Sequence, residues 1–518
     1  MLTPDEVVDV TRDLWKRHRD ELPRHDRVHD YVEGKRGRPD VPEGAGDELE
    51  DIARLSVKNV LSLVRDAFSQ SLAVTGFRSP KETENAAVWA RWQAERLDAR
   101  QAEPMRAAIE YGASYAVVTD SVRFRSPRQL IAVYADPHVD LWPVYALETW
   151  VDDSGKQAKR LGVLYDETHE YPIDLGNVSR VQYGQAERDD ESYSRQATVT
   201  PEYDEDEASE HGNDGCPVVR FVNARDSERL VVGEIEPLIE QQRAINAVNF
   251  DRLVVSRFGA FPQRYAIGWA AQSAADIKRV SMAHLMAFDD EDVKVGAFPS
   301  ASVTPYNEIL DEMLRHVAMT AQIPPLALTG DIENIAAEAA AMIEAPYQRK
   351  LAAKRESFGE SWEQVIRLMA RRDRVDVDDA AEVVWRDSES RSFGTVVDGI
   401  TKLVAANPDL LEVLVDDIPG WTQQQAEAAR NVIRRSQGGG VVDALRQAAT
   451  GQPDAPSQVQ RDASDLKARF DALGVAIRAG VDPDDAARRL GLEGIQFTGA
   501  TPVSLRQPLD EARGLEDK

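Results

Sequence analysis

Residues 304–325 read TPYNEILDEMLRHVAMTAQIPP. The Thr304 hydroxyl is suited to cap a helix. Pro305 falls at the first helical position, where a missing N–H costs nothing, and Glu308 lies in the first turn. Tyr306, Ile309, Leu310, Met313, Val317 and Ala321 recur at helical spacing, predicting a helix over 304–321. Ile323-Pro324-Pro325 stops it, because proline lacks the donor and disfavours helical geometry in the residue before it.

Upstream, Ile235, Leu238, Ile239, Ile245, Val248 and Val255 predict another long helix, with Pro237 tolerated in its first turn and an end near Phe258-Gly259. The intervening 260–302 has no clear period and reads as irregular. Downstream, 333–372 reads as one very long helix. It is alanine-rich at first, is kinked at Pro346, and later carries Phe358, Trp362, Val365, Ile366 and Met369 on one face. Trp362 and Trp385 read as packing anchors. A strand pair is expected at 375–377 and 382–385.

Before the first long helix the pattern changes. Ile52, Leu55, Val60, Val64, Phe68 and Leu72 predict one buried helix over 51–72. A second carries Val88, Trp89 and Trp92, and a third follows Asp98 as N-cap and ends near Tyr111-Gly112. Short runs at 114–119, 129–134, 149–152 and 160–165 are rich in β-branched and aromatic residues, so 114–232 reads as mostly β. Within it, 201–214 holds seven acidic residues and no Lys or Arg, which reads as a solvated loop. After 395 more helices are expected, with glycine-rich joints at 436–440 and 451–457 and a partly mobile tail.

At 518 residues the chain has room for roughly three or four structural units. Its 62 Lys and Arg stand against 90 Asp and Glu, a net charge of −28. Phosphate-neutralising binders depend on Lys and Arg, so a sequence-specific nucleic-acid reader is not expected. Such a chain could still surround DNA without gripping it. No apolar run approaches a bilayer span, and the start lacks a secretory pattern, so the protein is expected to stay where it is made. Cys216, the single cysteine, rules out an intramolecular disulfide and reads as a buried structural thiol.

Enzyme signatures are absent: there is no G-x-x-x-x-G-K-[ST], strand-linked G-x-G-x-x-G, H-E-x-x-H or G-x-S-x-G. No cofactor is expected. His25 and His29 share a helix face in a basic segment that reads as exposed, but nothing nearby supplies further zinc ligands. Asp376, Asp378 and Asp379 admit two readings, a polar turn or a two-metal nuclease cluster.

Several stretches, in order, carry a resemblance. They are Tyr31 to Lys35, Arg54 to Asn59, Ala107 to Val118, Pro217 to Asn223, Ala244-Ile245-Asn246, Phe261 to Arg264, Ile323-Pro324-Pro325, the 336–346 run and Val384-Trp385-Arg386-Asp387. Together they resemble the portal proteins of tailed bacteriophages, particularly phages of actinobacteria. The resemblance implies a mainly helical α+β portal fold with wing, stem, clip and crown. It implies an N-terminal helical part of the wing at 1–113, a β-rich wing at 114–232, a stem at 233–258 and 304–321, and a clip at 259–303. A channel loop would span 322–334, a long kinked helix with wing strands 335–394, crown helices 395–450 and a C-terminal helical segment with its tail 451–518.

It further implies a ring of about twelve subunits at the unique capsid vertex, assembled in the host cytoplasm, through which double-stranded DNA is packaged and ejected. The implied partners are a large terminase, a head–tail adaptor, and major capsid and scaffold proteins, without a membrane. An acidic lumen would give DNA a low-friction passage. Arg243, Arg252, Arg257 and Arg315 lie on the stem helices, where they either face the lumen or bridge neighbouring subunits. The channel loop has no Lys or Arg, so Pro324, Pro325, Leu326, Ala327 and Leu328 would make a steric, apolar contact with DNA or serve only as a hinge. The competing functions are a metal-dependent phosphodiesterase or nuclease and a monomeric virion adaptor.

Overall fold

The N-terminal helix α1 (Pro4–Val32) starts where the Glu6 carboxylate accepts from both the backbone N–H and the hydroxyl of Thr3, each at 2.8 Å, with proline in its first turn. The fold was obtained as a computed structural model. It describes residues 1–44, 46–78, 82–138, 141–178, 180–182, 191–193, 199, 201–213, 215–227, 231–259, 264–267, 294–297, 302–330, 337–375, 377–378 and 380–386, then 402–404, 407, 414, 425, 428–431, 433 and 487–489. The chain divides into two compact units, Met1–Gln425 and Ala426–Lys518, and the elements that follow belong to the first. The expected crown helices, glycine-rich joints and mobile tail lie outside the described residues but for those scattered positions.

The expected helix over 51–72 is two helices, α2 (Asp47–Leu55) and α3 (Val60–Gln70). Leu55 is 75% exposed, and the Asn59 side chain accepts from the Ser62 N–H, starting a new helix whose buried face is Val60, Val64 and Phe68. After β1 (Val74–Arg78) come α4 (Glu82–Ala94), α5 (Leu97–Arg100) and α6 (Ala102–Tyr111). Asp98 does not cap. It lies inside α5, and its carboxylate accepts from Trp92 Nε1 and Gln93 Nε2, at 2.8 and 2.6 Å.

Next come β2 (Ala113–Val118), β3 (Val122–Arg125), β4 (Leu130–Val133), β5 (Tyr145–Asp152), β6 (Lys159–Tyr165), β7 (His169–Asn177), β8 (Arg180–Gln182), β9 (Glu191–Tyr193), β10 (Ser209–Glu210) and β11 (Val218–Val222). They form a five-stranded sheet ordered β10-β7-β6-β5-β4, a three-stranded sheet ordered β11-β2-β3, and the pair β8-β9. All pairings are antiparallel. Val7, Leu14 and Trp15 of α1 pack on the larger sheet against Leu147, Leu164 and Tyr171.

The remaining elements are α7 (Ile239–Gly259), β12 (Arg264–Ile267), β13 (Lys294–Ala297), α8 (Thr304–Ala321), α9 (Leu326–Thr329), α10 (Ala337–Arg372) and β14 (Glu382–Trp385). The 260–302 stretch is not wholly irregular, since β12 and β13 pair antiparallel with Arg264 opposite Ala297. The expected pairing of 375–377 with 382–385 is also replaced. β14 pairs with β1, three hundred positions upstream, while the Val375 N–H closes the end of α10 on the Ala370 carbonyl.

α10 organises the main core. Trp362 is fully buried, with Trp92 and Phe221 rings 5.0 Å away and Phe124 at 5.7 Å, so strands and helices converge on one aromatic anchor. One turn apart on the same helix, Ser357 and Ser361 donate to the outward carbonyls of Val222 and Arg220, at 2.6 and 2.9 Å, sealing the open edge of β11.

Candidate functional site

α7 and α8 run antiparallel, because Gln241 Nε2 donates to Thr320 Oγ1 at one end of the pair and Arg252 Nη1 to Asn307 Oδ1 at the other, both at 3.2 Å. α8 spans the expected 304–321, but Thr304 does not cap it. Val303 is the cap, its carbonyl accepting from Asn307, and Thr304 and Pro305 are the first helical residues, with no hydroxyl cap. Its buried face is Leu310, Leu314, Val317, Ala318 and Ala321, which leaves Ile309 half exposed.

Where α8 ends, Gln322 turns left-handed (φ 60°) and the Ile323 N–H returns to the Ala318 carbonyl at 2.9 Å. Pro324 and Pro325 then start α9, a single turn closed by Gly330 at φ 72°. Of the five residues named for the channel loop, Leu326 (52% exposed) and Ala327 face outward, the two prolines are half-buried, and Leu328 packs against the main core. The rest of that loop, 331–334, lies outside the described residues.

The root of α7 is a backbone crossing. Gly112, at φ 98°, ends α6 beside Gly233, and a Cβ on Gly233 would lie 2.7 Å from the Glu110 carbonyl oxygen and 3.0 Å from Gly112 N. Only glycine permits this approach. The next residue, Glu234, sits in a buried ionic cluster. Its carboxylate accepts from Lys350 Nζ at 2.5 Å, Lys354 Nζ at 2.6 Å and Asn223 Nδ2 at 3.0 Å. Lys354 also donates to Asn223 Oδ1 at 2.5 Å, and Lys350 to the Ala321 carbonyl at 3.0 Å, while both ammoniums lie over the Phe68 ring. Burial pushes Lys354, 2% exposed, down to about 8 against the pull of Glu234. Burial raises the Glu234 carboxyl, yet Lys354 and Lys350 together hold it below the usual carboxylate range.

One to three turns further along α7, Gln242, Asn246 and Asn249 are buried polar residues on one face. Asn246 Oδ1 accepts from the Lys58 N–H at 3.0 Å and its Nδ2 donates to the Gly37 carbonyl at 2.8 Å. Gln242 accepts from the Val60 N–H at 3.1 Å and donates to the Lys58 carbonyl, and Asn249 donates to the Ser56 carbonyl at 2.6 Å. This amide ladder satisfies the backbone of the linker between α2 and α3.

Arg243 pairs with Glu240 and Arg257 with Glu48, at 2.9 and 2.8 Å, Arg252 is engaged by Asn307, and Arg315 lies on the outer face of α8. The two histidines are not on the exposed face of α1. His25 is buried edge-on against Tyr111, and His29 Nδ1 lies 3.1 Å from the Tyr111 hydroxyl and 3.5 Å from Glu110. Asp378 accepts from the Ala380 N–H in a local turn, while Asp376 and Asp379 lie outside the described residues. Among the described residues no three His, Cys, Asp or Glu are grouped to hold a metal ion, and no helix is long and apolar enough to cross a membrane. Cys216 is buried, and burial raises its thiol well above its ordinary value.

A family model described as Phage portal protein, SPP1 Gp6-like, matches residues 12–438. The chain belongs to this portal family. It is 26% identical over 361 residues to the portal protein of Mycobacterium phage D29, covering 65% of this chain and 70% of that one. To the portal protein of Mycobacterium phage L5 it is 29% identical over 151 residues, 28% of this chain and 31% of that one. A solved chain from the virion of a native gene transfer agent particle overlays with a TM-score of 0.39 at 13% identity, covering 74% of this chain and 98% of that one. The fold is mixed α+β, and portal proteins are structural components of the bacteriophage virion, at the capsid.

The geometry gives the portal resemblance a physical content. The stretch around Ser56 to Asn59 and the triplet ending at Asn246, far apart in sequence, meet in the amide ladder. Neither that ladder nor the Glu234 cluster was identified from sequence. The available signals were a pair of lysines four apart inside the apolar stripe of α10, and amides at 242, 246 and 249 on one helix face. Like charges at that spacing repel unless an anion lies between them.

Proposed function

We propose that the chain assembles as a ring of about twelve copies at the unique vertex of a phage capsid and passes double-stranded DNA through its centre during packaging and ejection. In this reading α7 and α8 are the stem, 259–303 the clip, 322–334 the channel loop, 1–232 together with 335–394 and its long helix α10 the wing, 395–450 the crown, and 451–518 a C-terminal helical segment with its tail. The ring docks a large terminase during packaging and a head–tail adaptor afterwards, inside a shell of major capsid and scaffold proteins, and forms in the host cytoplasm.

The observation that carries the reading is the antiparallel pair α7/α8 followed at once by a left-handed turn with outward Leu326 and Ala327, in a portal-family chain of net charge −28. The acidic excess repels phosphate, and a tip without Lys or Arg touches DNA only by shape. Phe258, Ile309 and Met319 leave apolar surface on the helix pair that a neighbouring subunit would cover.

Particles carrying Leu326→Asp with Ala327→Asp test the DNA contact. They should retain less packaged DNA than wild-type particles of equal ring content, and equal retention would overturn the contact. The nuclease reading is tested by incubation with duplex DNA and Mg²⁺ or Mn²⁺, where the portal reading expects no cleavage.

A further inference from the structure

We propose that Lys350 is a positioning residue for the turn that follows α8, tying the last carbonyl of that helix to Glu234 at the root of α7, so that α10 sets where residues 322–330 lie. The naming of those residues as a channel segment rests on the portal reading. The positioning is a property of one protomer.

Glu234 is already neutralised by Lys354, which is the more deeply buried of the two lysines and is also held by Asn223. A second ammonium leaves one positive charge in excess, and Lys350 is 23% exposed, so it could have reached solvent instead. It stays because it has a second acceptor. The last carbonyls of a helix have no partner within it and carry its negative dipole end. At the end of α8 the Gln322 and Ile323 N–H groups return to Met319 and Ala318, and the Ala321 carbonyl is taken by Lys350. The excess charge therefore sits where the helix end is negative, with the Phe68 face beneath it. One side chain thus joins three elements at the point where the backbone turns left-handed.

The test is amide exchange of the full chain across 319–330, compared among wild type, Lys350→Met, Lys350→Arg and Lys354→Met. Lys350→Met keeps length but removes the donor. It should accelerate exchange across 319–330 about tenfold, the loss of one charge-assisted hydrogen bond, with β2 and β11 unchanged. Lys350→Arg should keep protection, and Lys354→Met, which spares the Ala321 contact, should not mobilise this segment. Unchanged exchange in Lys350→Met, or equal acceleration in Lys354→Met, would overturn the proposal. If Lys350→Met loosens the whole chain, Lys350→Arg decides: retained protection across 319–330 supports the role and selective loss there overturns it. A ring of normal mass with unchanged exchange would sink this role and leave the portal reading standing, whereas a mobilised turn in a chain that forms no ring would do the reverse.

Discussion

Gly112 and Gly233 are the residues most sharply constrained by backbone alone. Gly233→Ala drives a methyl into the Glu110 carbonyl, so it should cost about 1–3 kcal/mol, read as a lowered denaturation midpoint; a wild-type midpoint would mean the crossing relaxes freely. Lys354 makes a pH prediction. Its folded value near 8 lies below its ordinary 10.5, so between those values the unfolded chain holds a proton that the folded chain has released. Stability from this group therefore rises with pH across that window, and the gap between wild type and Lys354→Met should shift in favour of wild type from about pH 8 to 10. A gap that stays flat would contradict the buried charge. Glu234 acts in the same sense at the acid end, its contribution present above the ordinary carboxylate range and lost as pH falls through its lowered value. Cys216 was legible as buried from the apolar strand that follows it, and Trp362 from its place in the helical stripe of Phe358, Val365, Ile366 and Met369. The lysines were not, since their partner Glu234 is more than a hundred positions away and no local pattern points to it.

At the scale of elements, the amide ladder makes the linker between α2 and α3 depend on α7. Asn246→Ala orphans the Lys58 N–H and the Gly37 carbonyl, at about 1–3 kcal/mol for each group left unpaired in the interior. Exchange at 56–60 should accelerate while β5 and β6 stay protected, and unchanged exchange there would show that water replaces the amide. This dependence explains why 51–72 misled as one helix: its apolar spacing is nearly continuous, and the break is made by Asn59 and by side chains from a distant helix. The same holds for 382–385, whose strand character was legible and whose partner was not, because β-pairing carries no local signal of register. The helices α7, α8 and α10 were legible because each carries a long apolar stripe at helical spacing. The cap of α8 shifted from Thr304 to Val303, as the backbone carbonyl closed the first turn without help from the hydroxyl, and α7 starts at Ile239, after a 3-10 turn at Glu236–Leu238 that takes up Pro237.

At the scale of the whole molecule, the order of elements carried the function and single motifs did not, as expected for a structural protein whose work is done by shape and charge. Phe258, Ile309 and Met319 (69% exposed) leave apolar surface on a lone chain that the proposed ring would cover, and the strongly acidic balance would keep such a ring from gripping the DNA inside it. Mass photometry of the purified full-length chain at near-physiological salt tests this most directly. The account predicts a single closed species near about twelve times 57.5 kDa, and a population of only one or two protomers at every concentration would contradict it.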